Sequence, residues 1–358
     1  MLWNANGLAQ HAAEFKTYVQ NQKTDIMLIS EMHFTTKSYI KIPNYIIYDI
    51  QHPDGSAHGR TAIIIKNGIK HHLHEHYNLE HLQATSVTIE DWIGPPTIAA
   101  VYCPPKHTVE TEKTSSFYAT LGQRFLAGGD YNAKHSHWGS RLTTPRGREL
   151  FKAMQAENLS HVSTGEPIYW PSDRRKVPDL LEFGVVKRLS VNNIHAASSF
   201  DLSSDHSPVI IIIHSRIIPQ TSPPTLSTKT TNWETFKNHI RQNLTLDVPL
   251  RANKDIEDYV HQFVKIIQRA AWNSMPNPRK SPNVDECAPM LIKQKISEKR
   301  KLRKRWQNTR SLQDKAKLNR VVDELKQILN DHKLKAIHTC LESLAATEAT
   351  EYSLWKAT

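Results

Sequence analysis

Cysteine is scarce in this chain. Three occur in 358 residues, Cys103, Cys287 and Cys340, far apart and without a CxxC pair. That spacing offers no disulfide framework and suits a reducing compartment. Long apolar runs are missing too. The longest, VIIII from Val209 to Ile213, falls far short of the roughly 20 residues that cross a bilayer. The opening MLWNANGLAQ lacks a basic segment followed by an apolar one, so it does not read as a secretion signal. No internal repeat occurs. Acidic side chains are the minority sign: 35 Asp and Glu face 46 Lys and Arg, a net charge of +11. This excess points to a polyanionic partner, nucleic acid first and an acidic membrane surface second. At roughly 100–200 residues per domain, the length suits about two domains, or one large domain with an extension.

Within these bounds, short runs rich in Ile, Val and Leu suggest buried strands at Ile26–Ser30, Thr61–Lys66, Ala84–Ile89, Thr97–Tyr102, Phe125–Ala127, Leu181–Val186 and Val209–His214. Helices are predicted at Leu8–Gln22, Ser115–Leu121 and Arg146–Glu157. The first carries Leu8, Ala12, Phe15 and Val19 at helical spacing. The mixture predicts a layered α/β domain. At Ile217–Trp233 the composition turns to Pro, Ser and Thr without periodicity, the mark of a linker. Beyond it the strand pattern ends. Helices are predicted at Asn232–Asn243 and Asp255–Ser274, then a loop MPNPRKSPNVDE, then a basic helical segment from Leu291 to Leu344. The expected division is a domain over 1–216, a linker over 217–232 and a helical basic region over 233–358.

Polar clusters close the predicted strands. Asn4 and Asn6 lie in WNANGL, Glu31 in MLISEMHF, Tyr102 in AAVYCPP, Asp130 and Asn132 in RFLAGGDYN, and Asp205 and His206 in SSDHSPVIIII. Loops at strand ends are where α/β folds gather chemistry. Glu31 with Asn4 offers hard oxygen ligands for one Mg²⁺, with Mn²⁺ as the substitute. Asp130 is placed to deprotonate a water and Asn132 to orient it, while His206, backed by Asp205, faces a phosphate. Such a set suits attack on a phosphodiester.

In this order, WNANGL, SEMHF, VYCPP, GGDYNAKHSHWGS and SSDHSPV resemble the endonuclease/exonuclease/phosphatase family. More narrowly they resemble the apurinic-type endonuclease of jockey-like non-LTR retrotransposons. The resemblance covers about the first 215 residues, and KRKLRKRW and LESLAATEATEYSLWKAT resemble the segment that joins endonuclease to reverse transcriptase. It implies a four-layer sandwich of two facing mixed β-sheets flanked by helices, followed by a helical extension. The activity implied is a Mg²⁺-dependent nick in double-stranded host DNA, made in the nucleus, that frees a 3′-hydroxyl for target-primed reverse transcription. Element RNA and the reverse transcriptase domain are the further partners implied. Carried over by motif, Asn4 and Glu31 take the metal side, Tyr102 the phosphate, and Asp130 and Asn132 the water. Ser204, Asp205 and His206 form the SDH motif. Asn6, His135, Arg141 and Ser204 are the candidates for contacts to DNA or its phosphates.

Three departures from the family pattern stand out. Only Met1 and Leu2 precede WNANGL, where a longer strand is expected, so the sheet beside Asn4 should be weakened. Glu182 replaces the aspartate that orients the histidine, and the extra methylene threatens the position of His206. A misplacement of about 1 Å can cost ~10²-fold in rate. No YxDD occurs, so the chain reads as a piece or degraded copy of an element. A catalytically dead DNA-binding remnant is therefore the rival reading, and a superfamily phosphatase the third.

Blander readings accompany several motifs. HxHW at His135–Trp138 lacks a third nitrogen or sulfur ligand nearby, so packing explains it better than zinc. HHLHEH at His71–His76 reads as a solvated strand end. In KRKLRKRW, the cations Lys299, Arg300, Lys301, Arg303, Lys304 and Arg305 would neutralise phosphates or serve nuclear import, or else form a solvated helix face. The stripe Leu318, Val321, Val322, Leu325, Ile328 and Leu329 reads as a packing face for the missing polymerase.

Overall fold

The computed structural model describes residues 1–22, 24–34, 39–50, 59–74, 77–190, 194–215, 217–220, 227, 231–245, 252–275 and 289–342. In chain order the elements are β1 (Leu2–Asn4), α1 (Ala12–Gln22), β2 (Ile26–Ser30), β3 (Tyr45–Asp49), β4 (Thr61–Lys66), β5 (His71–Leu73), β6 (Tyr77–Leu79), β7 (Leu82–Ile89) and β8 (Thr97–Tyr102). They continue with α2 (Thr111–Thr120), β9 (Phe125–Asp130), α3 (Pro145–Ala156), β10 (Ser160–Val162), β11 (Glu182–Lys187), β12 (Ile194–Ser198) and β13 (Val209–Ile213). Four helices follow: α4 (Trp233–Asn243), α5 (Asn253–Ser274), α6 (Met290–Thr309) and α7 (Leu312–Glu342). Among the described residues no helix is long and apolar enough to cross a membrane.

The strands form two mixed sheets. One runs β12-β13-β1-β2-β4-β3 and the other β10-β11-β9-β8-β7-β5, with β6 on β7. Only β1 with β2 and β8 with β9 pair parallel; the remaining neighbours are antiparallel. Leu2, Leu28 and Ile63 from one sheet share a core with Val101, Leu126 and Val185 from the other, so the sheets face each other. Trp3, Met27, Ile29 and Ile64 point the opposite way and bury Phe15 and Val19 of α1. Phe117 and Tyr118 of α2 and Leu150 and Met154 of α3 cover the second sheet. This is the α+β sandwich with flanking helices that the resemblance implies. The near-continuous burial of β4, β7, β8 and β9 matches strands with apolar contact on both faces.

The two glycines of GGD are explained by this packing. A β-carbon on Gly128 would lie 2.5 Å from Leu2 Cδ2 of the facing sheet. On Gly129, whose φ is +153°, it would collide with the Val101 carbonyl of the adjacent strand. β1 is short, yet it pairs with β2 at Leu2, Trp3 and Asn4 and with β13 at Leu2.

The C-terminal half does not act as one region. Residues 221–287 form one compact unit, in which α4 packs along α5. The described residues of the expected 233–358 region fall in two units, because residues 289–342 belong with the 1–220 unit. In that unit Ile292 of α6 and Leu325 and Leu329 of α7 share a small core, with Ala13 of α1 packed on it. The stripe read as a face for an absent polymerase thus has a partner within the chain. Most of the 217–232 segment, the 275–286 loop and the residues after 342 lie outside the described residues.

Candidate active site

Strand ends from both sheets converge at one edge. Within the second sheet, β9 places Asp130 opposite Tyr102 of β8 on one side and Glu182 of β11 on the other. Within the first, β1 and β2 end together at Asn4 and Ser30, which sets Glu31 just beyond. The gap between sheets is closed by a hydrogen bond of 2.9 Å from Asn4 Nδ2 to Asp130 Oδ2. Glu31 in turn meets the Tyr102 hydroxyl, which it pushes above its ordinary pKa together with the larger effect of burial.

Three of these residues, Asn6, Glu31 and Asn132, have left-handed backbone at φ of +44°, +51° and +47°. Such residues cost about 1–3 kcal/mol each and gather at functional sites. Local bonds hold the turns. The Asn6 N–H donates to Asn4 Oδ1 at 2.9 Å, and the Asn132 N–H donates to Asp130 Oδ1 at 2.8 Å. Asn132 Nδ2 also donates to Asp130 Oδ2 and to the Cys103 carbonyl. Asp130 is therefore buried with both oxygens engaged. Burial raises its pKa, His206 opposes, and Glu182 and Glu31 add to the rise, leaving it at about 7.

His206 Nδ1 lies 2.5 Å from Glu182 Oε1. Both groups are buried. Burial alone would lower the His206 pKa, but the Glu182 carboxylate outweighs it, with Asp130 and Asp205 adding, and the ring is held at about 9. Glu182, not Asp205, is the carboxylate that orients His206. The longer side chain reaches its partner because β11 pairs in register with β9 and sets Glu182 directly beside Asp130. Asp205 accepts instead from Asn6 Nδ2 at 3.2 Å.

Other expected residues are placed differently. Ser204 Oγ accepts from Trp3 Nε1 and from the His206 N–H, and its proton is shared between the carbonyls of Asn4 and His206. It locks the loop and has no hydroxyl left for a phosphate. His135 is turned into packing: its Nδ1 accepts from the His137 N–H and its ring stacks 4.5 Å from Phe151. Arg141 keeps an exposed side chain, while its N–H donates to Asp179 Oδ1 at 3.0 Å. Lys299 and Arg303 are 1% and 3% exposed, so neither reaches solvent. Arg300 pairs with Asp201 and Arg305 with Asp314 while both stay partly in solvent, and Lys301 and Lys304 are exposed as well.

The structure also supplies supports that the sequence reading missed. Tyr169 bridges to His206 along the backbone, and its ring stands 4.8 Å from the imidazole. The Trp170 N–H donates to the Asp205 carbonyl and the Ser207 N–H to the Ile168 carbonyl, so 168–170 splints the SDH loop. Arg146, at the start of α3, donates to the carbonyls of Asn132, Tyr131, Cys103 and His107 behind Asp130. Asp179, buried, pairs with Lys134 at 2.9 Å. Arg146 was within reach of sequence reading, since it follows the polar loop in TPRG; Tyr169 sits in a segment with no strand pattern.

A hard divalent ion takes oxygen donors and keeps several waters. Glu31, partly exposed at its strand end, and the remaining lone pair of Asn4 Oδ1 fit that need. Asp130, Glu182 and His206 also bring ligand atoms within 4.8 Å of one another. All three are buried, with Asp130 held by amide donors and His206 ion-paired to Glu182, which suits proton handling better than a hydrated cation.

Two facing mixed sheets with such a cluster at their shared edge define the endonuclease/exonuclease/phosphatase class. Residues 97–210 match the family model described as endonuclease-reverse transcriptase. The chain is 29% identical over 361 residues to the RNA-directed DNA polymerase from mobile element jockey of Drosophila funebris, covering 100% of this chain and 39% of that protein. It is 30% identical over 362 residues to the probable RNA-directed DNA polymerase from transposon X-element of Drosophila melanogaster, covering 100% and 40%. The chain thus spans about two fifths of the length of these relatives. In fold it is similar to the AP endonuclease LMAP from Leishmania major, with a TM-score of 0.50 and 13% identity over 60% of this chain and 86% of that one. The chain carries a domain of the endonuclease/exonuclease/phosphatase family, of the kind found in jockey-like non-LTR retrotransposons.

Proposed function

We propose that this chain is a Mg²⁺-dependent endonuclease that nicks double-stranded DNA and leaves a 3′-hydroxyl able to prime reverse transcription. The observation that carries the proposal is the pairing of Glu182 with His206 at 2.5 Å beside an Asp130 held by Asn4 of the opposite sheet. A buried charged pair is costly to keep unless its geometry is satisfied. Here it stands beside a carboxylate whose pKa of about 7 suits a general base at neutral pH.

Asp130 takes the proton of the attacking water, which Asn132 orients; as the new P–O bond forms the P–O3′ bond breaks, and the departing 3′-oxygen takes a proton from solvent water. His206, charged and fixed through Nδ1, presents Nε2–H to a phosphate oxygen. Tyr102 stays protonated, since burial and then Glu31 push its pKa up, and donates to the same phosphate. Glu31 and Asn4 would hold the Mg²⁺, with Mn²⁺ as a substitute. When bound, the ion would supply positive charge against the negative charge that builds on the phosphate oxygens. Lys301 and Lys304 add phosphate contacts outside the pocket. Element RNA as a second ligand and work in the nucleus, where host DNA lies, belong to the same reading.

A plasmid-nicking assay with Mg²⁺ tests this. The wild-type chain should convert supercoiled to open-circular DNA, and Asp130→Ala should lose at least ~10²-fold in rate. Equal nicking by both proteins would refute the assignment. DNA binding with no nicking by either would identify a dead remnant, and cleavage of inositol phosphates in place of DNA would identify a phosphatase.

A further inference from the structure

We propose that α6 is a working part of this active site and that Arg303 is a positioning residue for the loop that carries His206. The proposal rests on the nuclease reading for its chemistry and on side-chain geometry for its placement. Arg303 Nη1 donates to the Leu202 carbonyl. Its Nη2 donates to the Ser204 carbonyl at 2.9 Å, the His206 carbonyl at 3.2 Å and Ser207 Oγ at 3.4 Å. One planar guanidinium thus ties four loop residues, a geometry that a single ammonium cannot copy.

The neighbours of Arg303 on α6 extend the clamp. Gln307 Nε2, one turn on, donates to Ser207 Oγ at 3.1 Å. Lys299, one turn back, donates to Glu14 Oε1 and the Asp201 carbonyl. Glu14 of α1 then accepts from the N–H and hydroxyl of Ser203. Beyond the helix, Arg310 donates to the Pro171 carbonyl at 2.7 Å, next to the Trp170 N–H that holds the Asp205 carbonyl. The 201–207 loop is therefore gripped by α6 from outside and by Glu182 from within.

The burial of Lys299 and Arg303 is the reason this is more than a surface contact. Desolvating two cations on one helix face is unfavourable unless their donors are matched. Here the carbonyls of Asp201, Leu202, Ser204 and His206 and the Glu14 carboxylate take the Lys299 ammonium and both Arg303 Nη groups, while Arg303 Nε is buried without a hydrogen-bond partner among the described residues. A basic run that reads as a nucleic-acid tail turns two of its cations inward, toward the backbone of the histidine loop.

The test uses the full chain and Arg303→Lys, which keeps the charge and removes the fork. Nicking kinetics should show kcat reduced about tenfold or more with KM for DNA changed less than about threefold, the mark of a misplaced group and not of lost binding. Asn308→Ala, on the exposed side of the same helix, should leave both unchanged. NMR of ring-labelled histidine, with the His206 signal assigned by His206→Gln, should show that signal shifted in Arg303→Lys and unmoved in Asn308→Ala. Wild-type kcat with an unmoved His206 signal overturns the proposal. A raised KM with kcat intact also overturns it, in favour of a DNA contact. If Arg303→Lys fails to fold, Gln307→Ala, which removes only the donor to Ser207, is held to the same two outcomes. If the wild-type chain does not nick DNA, the nuclease reading falls, and the His206 signal alone decides the clamp.

Discussion

Asp130 and His206 titrate on opposite sides of neutrality, and their environments set the order. Asp130 must lose its proton to act as base, at about pH 7, and His206 must keep its own, up to about pH 9. Nicking should therefore rise through about pH 7 and fall through about pH 9, measured as kcat/KM against pH. Glu182→Gln removes the charge that outweighs burial at His206, so the upper limb should move to lower pH. A profile unchanged in Glu182→Gln would rule out that pairing as the cause. The pair also feeds stability. His206 is raised above its ordinary 6.5, so its contribution is complete below pH 6.5 and is lost as pH climbs through about 9. Glu182→Asp would withdraw the carboxylate by one methylene from a contact of 2.5 Å. It should slow nicking by ~10-fold or more, although aspartate is the residue the family pattern expects. At this scale the sequence named most of the pocket. At Ser204 the hydroxyl is consumed by internal bonds that no motif displays, while His135 takes the packing place that the HxHW reading preferred.

Elements act here as braces. α3 begins at Pro145 with Thr144 as its N-cap, and this start sets Arg146 behind the Asp130 loop. Arg146→Ala would leave the carbonyls of Asn132, Tyr131 and Cys103 without that donor. At roughly 1–3 kcal/mol for buried groups left unpaired, the variant should melt earlier and nick more slowly, with KM little changed. Thermal melts beside nicking kinetics would separate the two effects. On β9, Gly129→Ala forces a β-carbon against the Val101 carbonyl and should cost about 1–3 kcal/mol or more in a urea titration. Strands bounded by apolar runs, such as Thr61–Lys66 and Thr97–Tyr102, were legible to the residue. β1, β3, β5, β6, β10 and β12 were not, being short or edge strands formed by pairing more than by composition.

Across the whole molecule, net charge governs association and burial governs which charges count. The chain carries +11, yet Lys299 and Arg303 are enclosed. Exchanging the exposed Lys301 and Lys304 for alanine should weaken DNA binding at low salt. It should flatten the slope of log K against log salt by at most ~2, since each phosphate contact contributes about 0.9. A slope unchanged within error would mean that DNA lies elsewhere on the surface.

The sequence by itself determined which chemistry is available, through acids, amides and one imidazole closing strand-like runs, because hydrophobic periodicity and turn chemistry are local and survive in a linear reading. Only the tertiary structure decided who meets whom. Asn4 reaches Asp130 across 126 positions of chain, and Arg303 reaches the Ser204 carbonyl across 99. Such contacts depend on strand register and helix docking, which are settled by the packing of two sheets against each other and leave no local pattern in the residues involved.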